Sequence, residues 1–325
     1  MRSGLPPVGN PNTGVAVNRV STNFEQLIIL DEAGNPSVVE DAPAIRPALF
    51  ALSELRVEYD SDNKALWTHM VPAGRPSFTP SMLRDFERWQ DLIQASFGPD
   101  DLRYLVLGSH APGVFCYGGD LALFRKLIVD GNRAALVDYG HRCCRILHRN
   151  INALGLPMLT IGMVQGDALG GGLEALLSFD FIIAEESASF GLPEIMFGLF
   201  PGMGAHAFLS RQLGSIAAER LITSGKNVSA RTMMDLGLVH DVVPDGTAEE
   251  AVQTFIQKND RRHAGLLGSR RAIKRNWNMS LSELTDITEI WADTALRLTE
   301  RDLKLMGRLA DKQRRTSSAR SVEPA

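Results

Sequence analysis

The sequence predicts an α/β fold on a mainly parallel sheet, followed by a helical C-terminal region. Apolar runs of strand length, LRYLVLG (102–108), PMLTIGMVQG (157–166) and FDFIIAE (179–185), alternate with helical segments. Met82, Phe86, Trp89, Ile93 and Phe97 recur at steps of four and three, the period of a helix with one buried face. Leu284, Ile287, Trp291, Ala295 and Leu298 form a second such stripe near the C-terminus.

In chain order, residues 1–20 are rich in Gly, Pro, Asn and Ser and predict a mobile arm. Residues 24–50 predict an extension packed on the main domain, so residues 1–50 form an N-terminal extension. LRVEYD (55–60) and ALWTHMV (65–71) flank the turn SDNK as two strands. Thr79 can cap the first helix, and Pro80 suits its first position because the missing N–H is not needed there. The core is expected over 51–260 and the helical region over 261–308. From Ser280 the chain reads as long helix, with Ser280 and Glu283 fitting a capping box. The polar residues 309–325 are expected to be a disordered tail.

The net charge of −4 supplies no global basic field, which argues against nucleic acid as a partner. No apolar run approaches the roughly 18 residues that span a bilayer, and the N-terminus lacks a signal-peptide core. The cytoplasm is the expected location. Cys116, Cys143 and Cys144 are a poor disulfide framework and fit reduced thiols. His141, Cys144 and His148 would share a helix face, but no C-x-x-C or H-E-x-x-H pattern supports a metal, and none is expected.

Residues 165–204 carry the chemistry. A glycine triplet, Gly170 to Gly172, sits at a strand-to-helix turn, Glu174 follows it, and Glu194 comes twenty positions later. Glycines admit a ligand close to the backbone, and N–H groups at a helix start lack intrahelical partners. Such N–H groups can hold an oxyanion, and two carboxyls beside it can move protons on a bound acyl group. A serine hydrolase is disfavoured without G-x-S-x-G, and a nucleotide cofactor without a P-loop or dinucleotide fingerprint.

FCYGGDL (115–121), ALGGGLEALLSFDFIIA (168–184) and FGLPEIMFGLFPGMG (190–204), in this order and spacing, resemble the crotonase (enoyl-CoA hydratase/isomerase) superfamily from about residue 50 to 280. Within it, GRPSFTPSML (74–83), VQGDALGGGLEALLS (164–178) and LPEIMFGLFPGMGAHAFLSRQLG (192–214) look most like the bacterial diffusible-signal-factor synthases, the RpfF-like branch. The resemblance implies a spiral of ββα units. It also implies dehydration of a 3-hydroxyacyl group on acyl carrier protein, then thioester hydrolysis to a free cis-2-unsaturated fatty acid used in cell–cell signalling. It places the oxyanion hole at the N–H groups of Gly119 and Gly171 and the catalytic carboxyls at Glu174 and Glu194, with acid and base undecided between them. No cofactor is implied, and a homotrimer or dimer of trimers is.

Leu173, Leu176, Met196, Phe197, Leu199, Phe200 and Met203 are candidates for an apolar acyl tunnel, or ordinary core. Arg270, Arg271, Lys274 and Arg275 belong to a basic run that is either a solvated helix face or a dock for an acidic carrier protein or coenzyme A phosphates. Two rival functions stay open. One is an ordinary enoyl-CoA hydratase without thioesterase activity; the other is a non-catalytic binding or regulatory protein on the same scaffold.

Overall fold

The computed structural model describes the backbone of residues 45–319 and of two short strands, and the side chains of residues 45–311. Those strands, β1 (Ile28–Leu30) and β2 (Pro36–Val38), pair antiparallel. The expected mobile arm, residues 1–20, lies outside the described residues. Within the described part of the extension, a short 3-10 turn at Pro47–Phe50 buries Leu49 completely.

β3 (Leu55–Asp60) and β4 (Ala65–Met70) form the antiparallel hairpin that the turn SDNK predicts. α1 (Pro80–Ser96) starts where its cap places it: the Thr79 hydroxyl accepts from the Met82 N–H at 3.2 Å. Its stripe of Met82, Phe86, Trp89 and Ile93, continued by Phe97, is buried in the main core.

A repeated pattern follows. β5 (Tyr104–Ser109) leads to β6 (Val114–Cys116) and then α2 (Leu121–Val129) and α3 (Arg133–Ile151). β7 (Leu159–Val164) leads to β8 (Asp167–Leu169) and α4 (Gly171–Leu176). β9 (Phe181–Glu185) leads to β10 (Ser189–Gly191), then α5 (Ala205–Leu213) and α6 (Ser215–Ser224). The first strand of each unit joins one sheet and the second another. These are the ββα units that the resemblance implies. β11 (Asn227–Ser229), α7 (Ala230–Asp235), β12 (Asp241–Val243) and α8 (Ala248–Asn259) complete the core.

The larger sheet has the order β12-β9-β7-β5-β4-β3, parallel except at the β3–β4 edge, and the smaller runs β11-β10-β8-β6. The central strands β5 and β7 are buried along their whole length, as expected of parallel strands covered on both faces. α8 covers one face of the larger sheet through Val252 and Ile256.

The C-terminal region comprises α9 (His263–Trp277), α10 (Leu281–Ala295) and α11 (Glu300–Ala319). This corrects two expectations. The long helix after Ser280 breaks at 296–299, and helix rather than disordered tail runs through residues 309–319. Thr299 and Asp302 explain the break: Thr299 N–H donates to the Asp302 carboxylate at 2.9 Å, and Asp302 N–H returns to the Thr299 hydroxyl at 3.4 Å. This reciprocal cap starts a new helix. Met306 and Ala310 are buried, so α11 is held by packing against α2 despite its polar composition. Residues 320–325 lie outside the described residues. At Ser280 the cap is one-sided: its hydroxyl accepts from Glu283 N–H at 3.1 Å, while the Glu283 carboxylate pairs with Arg211 at 2.7 Å.

Candidate active site

The loop after β6 is fixed by bonds from nearly every residue except one. Tyr117 N–H donates to Pro76 C=O at 2.7 Å, and Gly118 C=O accepts from Phe78 N–H at 2.7 Å. Gly118 N–H donates to Cys116 Sγ at 3.3 Å and Asp120 N–H to the Tyr139 hydroxyl at 3.3 Å. The Tyr139 hydroxyl in turn donates to Phe78 C=O. The Asp120 carboxylate caps α2 through Leu123 N–H at 3.1 Å and pairs with Arg75 at 2.8 Å. Asp120 therefore orients the loop. Gly119 N–H enters none of these bonds, and Gly119 lines a cavity.

The glycine triplet meets this loop at the start of α4. Gly118 has φ +80°, and a Cβ there would stand 2.4 Å from Gly171 N. Only glycine lets the two backbones come so close. Gly171 is the first residue of α4, so its N–H has no intrahelical acceptor. Gly119 and Gly171 line the same cavity of about 330 Å³, and so do Glu174 and Glu194.

Glu174 sits on α4, 1 % exposed. Its Oε1 accepts from Met203 N–H at 2.8 Å and Ala205 N–H at 3.0 Å. Burial pushes its carboxyl up to about 7, while the backbone donors of Ala205, Met203 and Gly204 pull the other way. Glu194 lies on a 3-10 turn, Pro193–Phe197, closed by Leu199 N–H to Glu194 C=O at 3.1 Å. Its Oε2 is buried without a hydrogen-bond partner. Burial first, and then the nearby Glu174 charge, raise its carboxyl to about 8. The two environments differ in kind. Backbone donors from three residues favour Glu174 as the anion, whereas Glu194 Oε2 has no partner and only Glu194's own backbone lowers its carboxyl, so a proton shared by the pair favours Glu194.

The rest of the wall is apolar. Met196, Phe197, Leu199 and Met203 line it, with Met196 59 % exposed at the mouth. Leu173, Leu176 and Phe200 are not among the lining residues. Leu173 and Leu176 are fully buried on the core side of α4, and Leu176 packs where β7 has Gly162. Phe200 turns to His206, ring centroids 5.5 Å apart. Leu173 and Leu176, three positions apart, share one helix face, and Glu174, one position after Leu173, points away from it into the cavity.

Several wall residues are not readable as such from the sequence. Phe124 and Tyr139 come from α2 and α3, and Trp291 and Leu309 from α10 and α11. Trp291 appears in the sequence only as part of a core stripe, and Leu309 falls in the expected tail. The T-x-x-D signature at Thr299–Asp302, followed by Leu303, Met306 and Ala310 at helical steps, is the signal for α11.

Arg270, Arg271, Lys274 and Arg275 line a separate cavity with Asp180 and Met158. Met158 and Asp180 precede β7 and β9, whereas the glycine loop follows β7, roughly 16 Å away along the strand. The 1 %-exposed Asp180 carboxylate accepts from Lys274 at 2.6 Å and Arg270 at 3.3 Å. Two of the four cations are thus tied to the protein's own acid. Among the described residues no cluster suits a metal; Cys144, from the histidine–cysteine face, contacts Thr288 at 3.1 Å. No helix among the described residues is long and apolar enough to cross a membrane.

Known proteins resemble this chain in sequence and fold. The chain is 29% identical over 244 residues to a probable mitochondrial enoyl-CoA hydratase 2 of Arabidopsis thaliana, covering 75% of this chain and 77% of that protein. It is 35% identical over 136 residues to the 2,3-dehydroadipyl-CoA hydratase of Escherichia coli, covering 42% of this chain and 52% of that one. Among solved structures, Pseudomonas aeruginosa DspI superposes with a TM-score of 0.61 at 25% identity, covering 71% of this chain and 90% of that chain. The enoyl-CoA hydratase/isomerase family pattern matches residues 87–297, a span that holds both glutamates and both glycine loops. With that span covering most of the ββα core, the chain belongs to the enoyl-CoA hydratase/isomerase family.

Proposed function

We propose that the protein dehydrates a 3-hydroxyacyl thioester carried on acyl carrier protein and hydrolyses the product to a free cis-2-unsaturated fatty acid. The observation that supports this best is the meeting of a buried carboxyl, Glu174, and a half-buried one, Glu194, both raised towards neutrality, in one cavity with Gly119 and Gly171. The thioester oxygen lies against the two N–H groups. One carboxylate takes the Cα proton, and the enolate charge spreads onto that oxygen. The Cβ–O bond then breaks, and the other carboxyl protonates the leaving hydroxyl as water. The pair ends with its protonation states exchanged and one proton still between its members.

Hydrolysis uses the same parts. Water attacks the carbonyl carbon and gives its proton to the ionised glutamate. The tetrahedral oxyanion sits in the same cradle, and the C–S bond breaks as the acidic glutamate protonates the thiolate. Neither step changes oxidation state, so no redox cofactor enters. Each donor of such a cradle is worth on the order of 3 kcal/mol in the barrier. The apolar wall stabilises the acyl tail by about 0.8 kcal/mol per buried methylene. The same reading carries a cytoplasmic homo-oligomer, a trimer or dimer of trimers. The DspI likeness and the sequence resemblance to signal synthases support the carrier-linked, hydrolytic form.

The hydratase names of the Arabidopsis and E. coli relatives favour a second reading, reversible hydration of an enoyl-CoA without thioester cleavage. Purified protein incubated with defined 3-hydroxyacyl carrier proteins and acyl-CoAs, followed by mass spectrometry, separates the two. Release of free unsaturated acid supports the first. Interconversion of thioesters with no free acid establishes the second. No turnover of any thioester, with binding retained in Glu174→Gln and Glu194→Gln, leaves only the binding protein.

A further inference from the structure

The amide that holds Glu174 is itself held from α10. Met203 N–H donates to Glu174 Oε1 at 2.8 Å. The carbonyl of that same peptide unit is Gly202 C=O, which accepts from the Thr288 hydroxyl at 2.7 Å. One planar peptide therefore carries a hydrogen bond at each end, from a C-terminal helix to a candidate catalytic carboxylate. Thr288 is fully buried. Its hydroxyl also lies 3.1 Å from Leu284 C=O and 3.1 Å from Cys144 Sγ. Burial holds the Cys144 thiol up at about 12, so it is a neutral S–H able to donate to Thr288. The Thr288 proton then goes to Gly202 C=O, the shorter of its two carbonyl contacts.

The surrounding packing leaves this peptide little freedom. A Cβ on Gly202 would stand 2.5 Å from Trp291, and one on Gly140 of α3 would stand 2.2 Å from Thr288 Cγ2. α10 is thus seated against α3 and the 202–203 peptide at contact distance. A hydrogen bond accepted at the carbonyl polarises the peptide and strengthens its N–H as a donor.

We propose that Thr288 is a positioning residue for Glu174, acting through the Gly202–Met203 peptide. It fixes the direction of that N–H and raises its donor strength, which favours the ionised form of Glu174 and sets the carboxylate's aim into the cavity. α10 is then part of the catalytic apparatus as well as a wall of the acyl cavity. The proposal rests on Glu174 being catalytic, as under the proposed function.

The test compares Thr288→Val, which keeps the shape and loses the hydroxyl, with Thr288→Ser, which keeps the hydroxyl. Thr288→Ala serves as a second deletion should the valine variant not fold. Glu174 is titrated by carboxyl infrared difference spectra, each protein minus the same protein with Glu174→Gln, and thioester turnover is measured alongside. The expected result is an upward shift of the Glu174 midpoint in Thr288→Val. A fall in kcat of about tenfold with KM within about twofold should accompany it, and Thr288→Ser should restore both. An unchanged midpoint overturns the proposal, whether activity is retained or lost, since Thr288 would then be a structural strut. Failure of Thr288→Ser to restore the midpoint also overturns it. Full activity in Glu174→Gln sinks the catalytic reading instead, and leaves the infrared shift to decide whether Thr288 positions the carboxylate.

Discussion

Glu194 Oε1 occupies space that only glycine at position 170 leaves open: a Cβ on Gly170 would stand 2.5 Å from it. Gly170 also has φ +53° and ψ −126°, a conformation almost closed to other residues. The triplet's first glycine thus seats the carboxyl from the far end of the motif. Gly170→Ala should displace Glu194 and strain the turn. The expected outcome is a loss of about 100-fold or more in kcat with a stability cost of about 1–3 kcal/mol. Steady-state kinetics and urea unfolding check this. Unchanged kcat in a folded variant would mean that Glu194's placement does not matter to turnover.

The carboxyl pair predicts a narrow pH optimum. Its members titrate around 7 and 8, and turnover needs one proton between them. Log kcat/KM should therefore fall with acid below about 7, where both are protonated, and with alkali above about 8, where both are ionised. Glu174→Gln or Glu194→Gln should each remove one limb and lower kcat by about 100-fold to 10,000-fold. A flat profile from pH 5 to 9 would contradict a shared-proton mechanism.

Stability should depend on the same group with a fixed sign. Glu194's native value of about 8 lies above its ordinary 4.5. Its contribution to stability is complete below about pH 4.5 and is lost as pH rises through about 8. Glu194→Gln keeps a neutral side chain at every pH. The variant should match the parent near pH 5 and exceed it by on the order of 2 kcal/mol at pH 9, because the parent must then hold a carboxylate whose Oε2 has no hydrogen-bond partner. Paired urea melts at the two pH values measure this. An advantage of equal size at both would assign the effect to packing.

How much of this was legible in the sequence depends on the range of the determining contacts. The α1 cap at Thr79, the buried strands and the glycine–glutamate spacing are local, and each reads directly from neighbouring residues. The cavity wall is different, because Trp291 and Leu309 reach it only once α10 and α11 fold back over the site. No local pattern distinguishes a tryptophan facing core from one facing a cavity. Thr288 was hidden for the opposite reason: a threonine inside a helix stripe reads as a polar interruption until Gly202 C=O is placed opposite it. The basic run hides its internal difference because its residues look alike, while Arg270 and Lys274 are set apart from Arg271 and Arg275 by pairing with one buried acid, Asp180, ninety positions from Arg270.

That acid gives the sharpest test of the basic run. Asp180 Oδ2 accepts from Thr160 N–H at 2.9 Å and from the Thr160 hydroxyl at 3.1 Å, while Oδ1 faces Lys274 and Arg270. The carboxylate joins α9 to the starts of β7 and β9. Lys274→Met removes one of its two cations and leaves a buried charge underpaired, which should cost about 1–3 kcal/mol. Since this cluster lies at the opposite end of β7 from the glycine loops, KM for a carrier-linked or coenzyme A substrate should stay within about twofold. Urea melts and kinetics on the same preparation decide the matter. A KM raised tenfold or more at unchanged stability would make the cluster a substrate dock, whereas lost stability at unchanged KM makes it a clasp that holds α9 on the sheet.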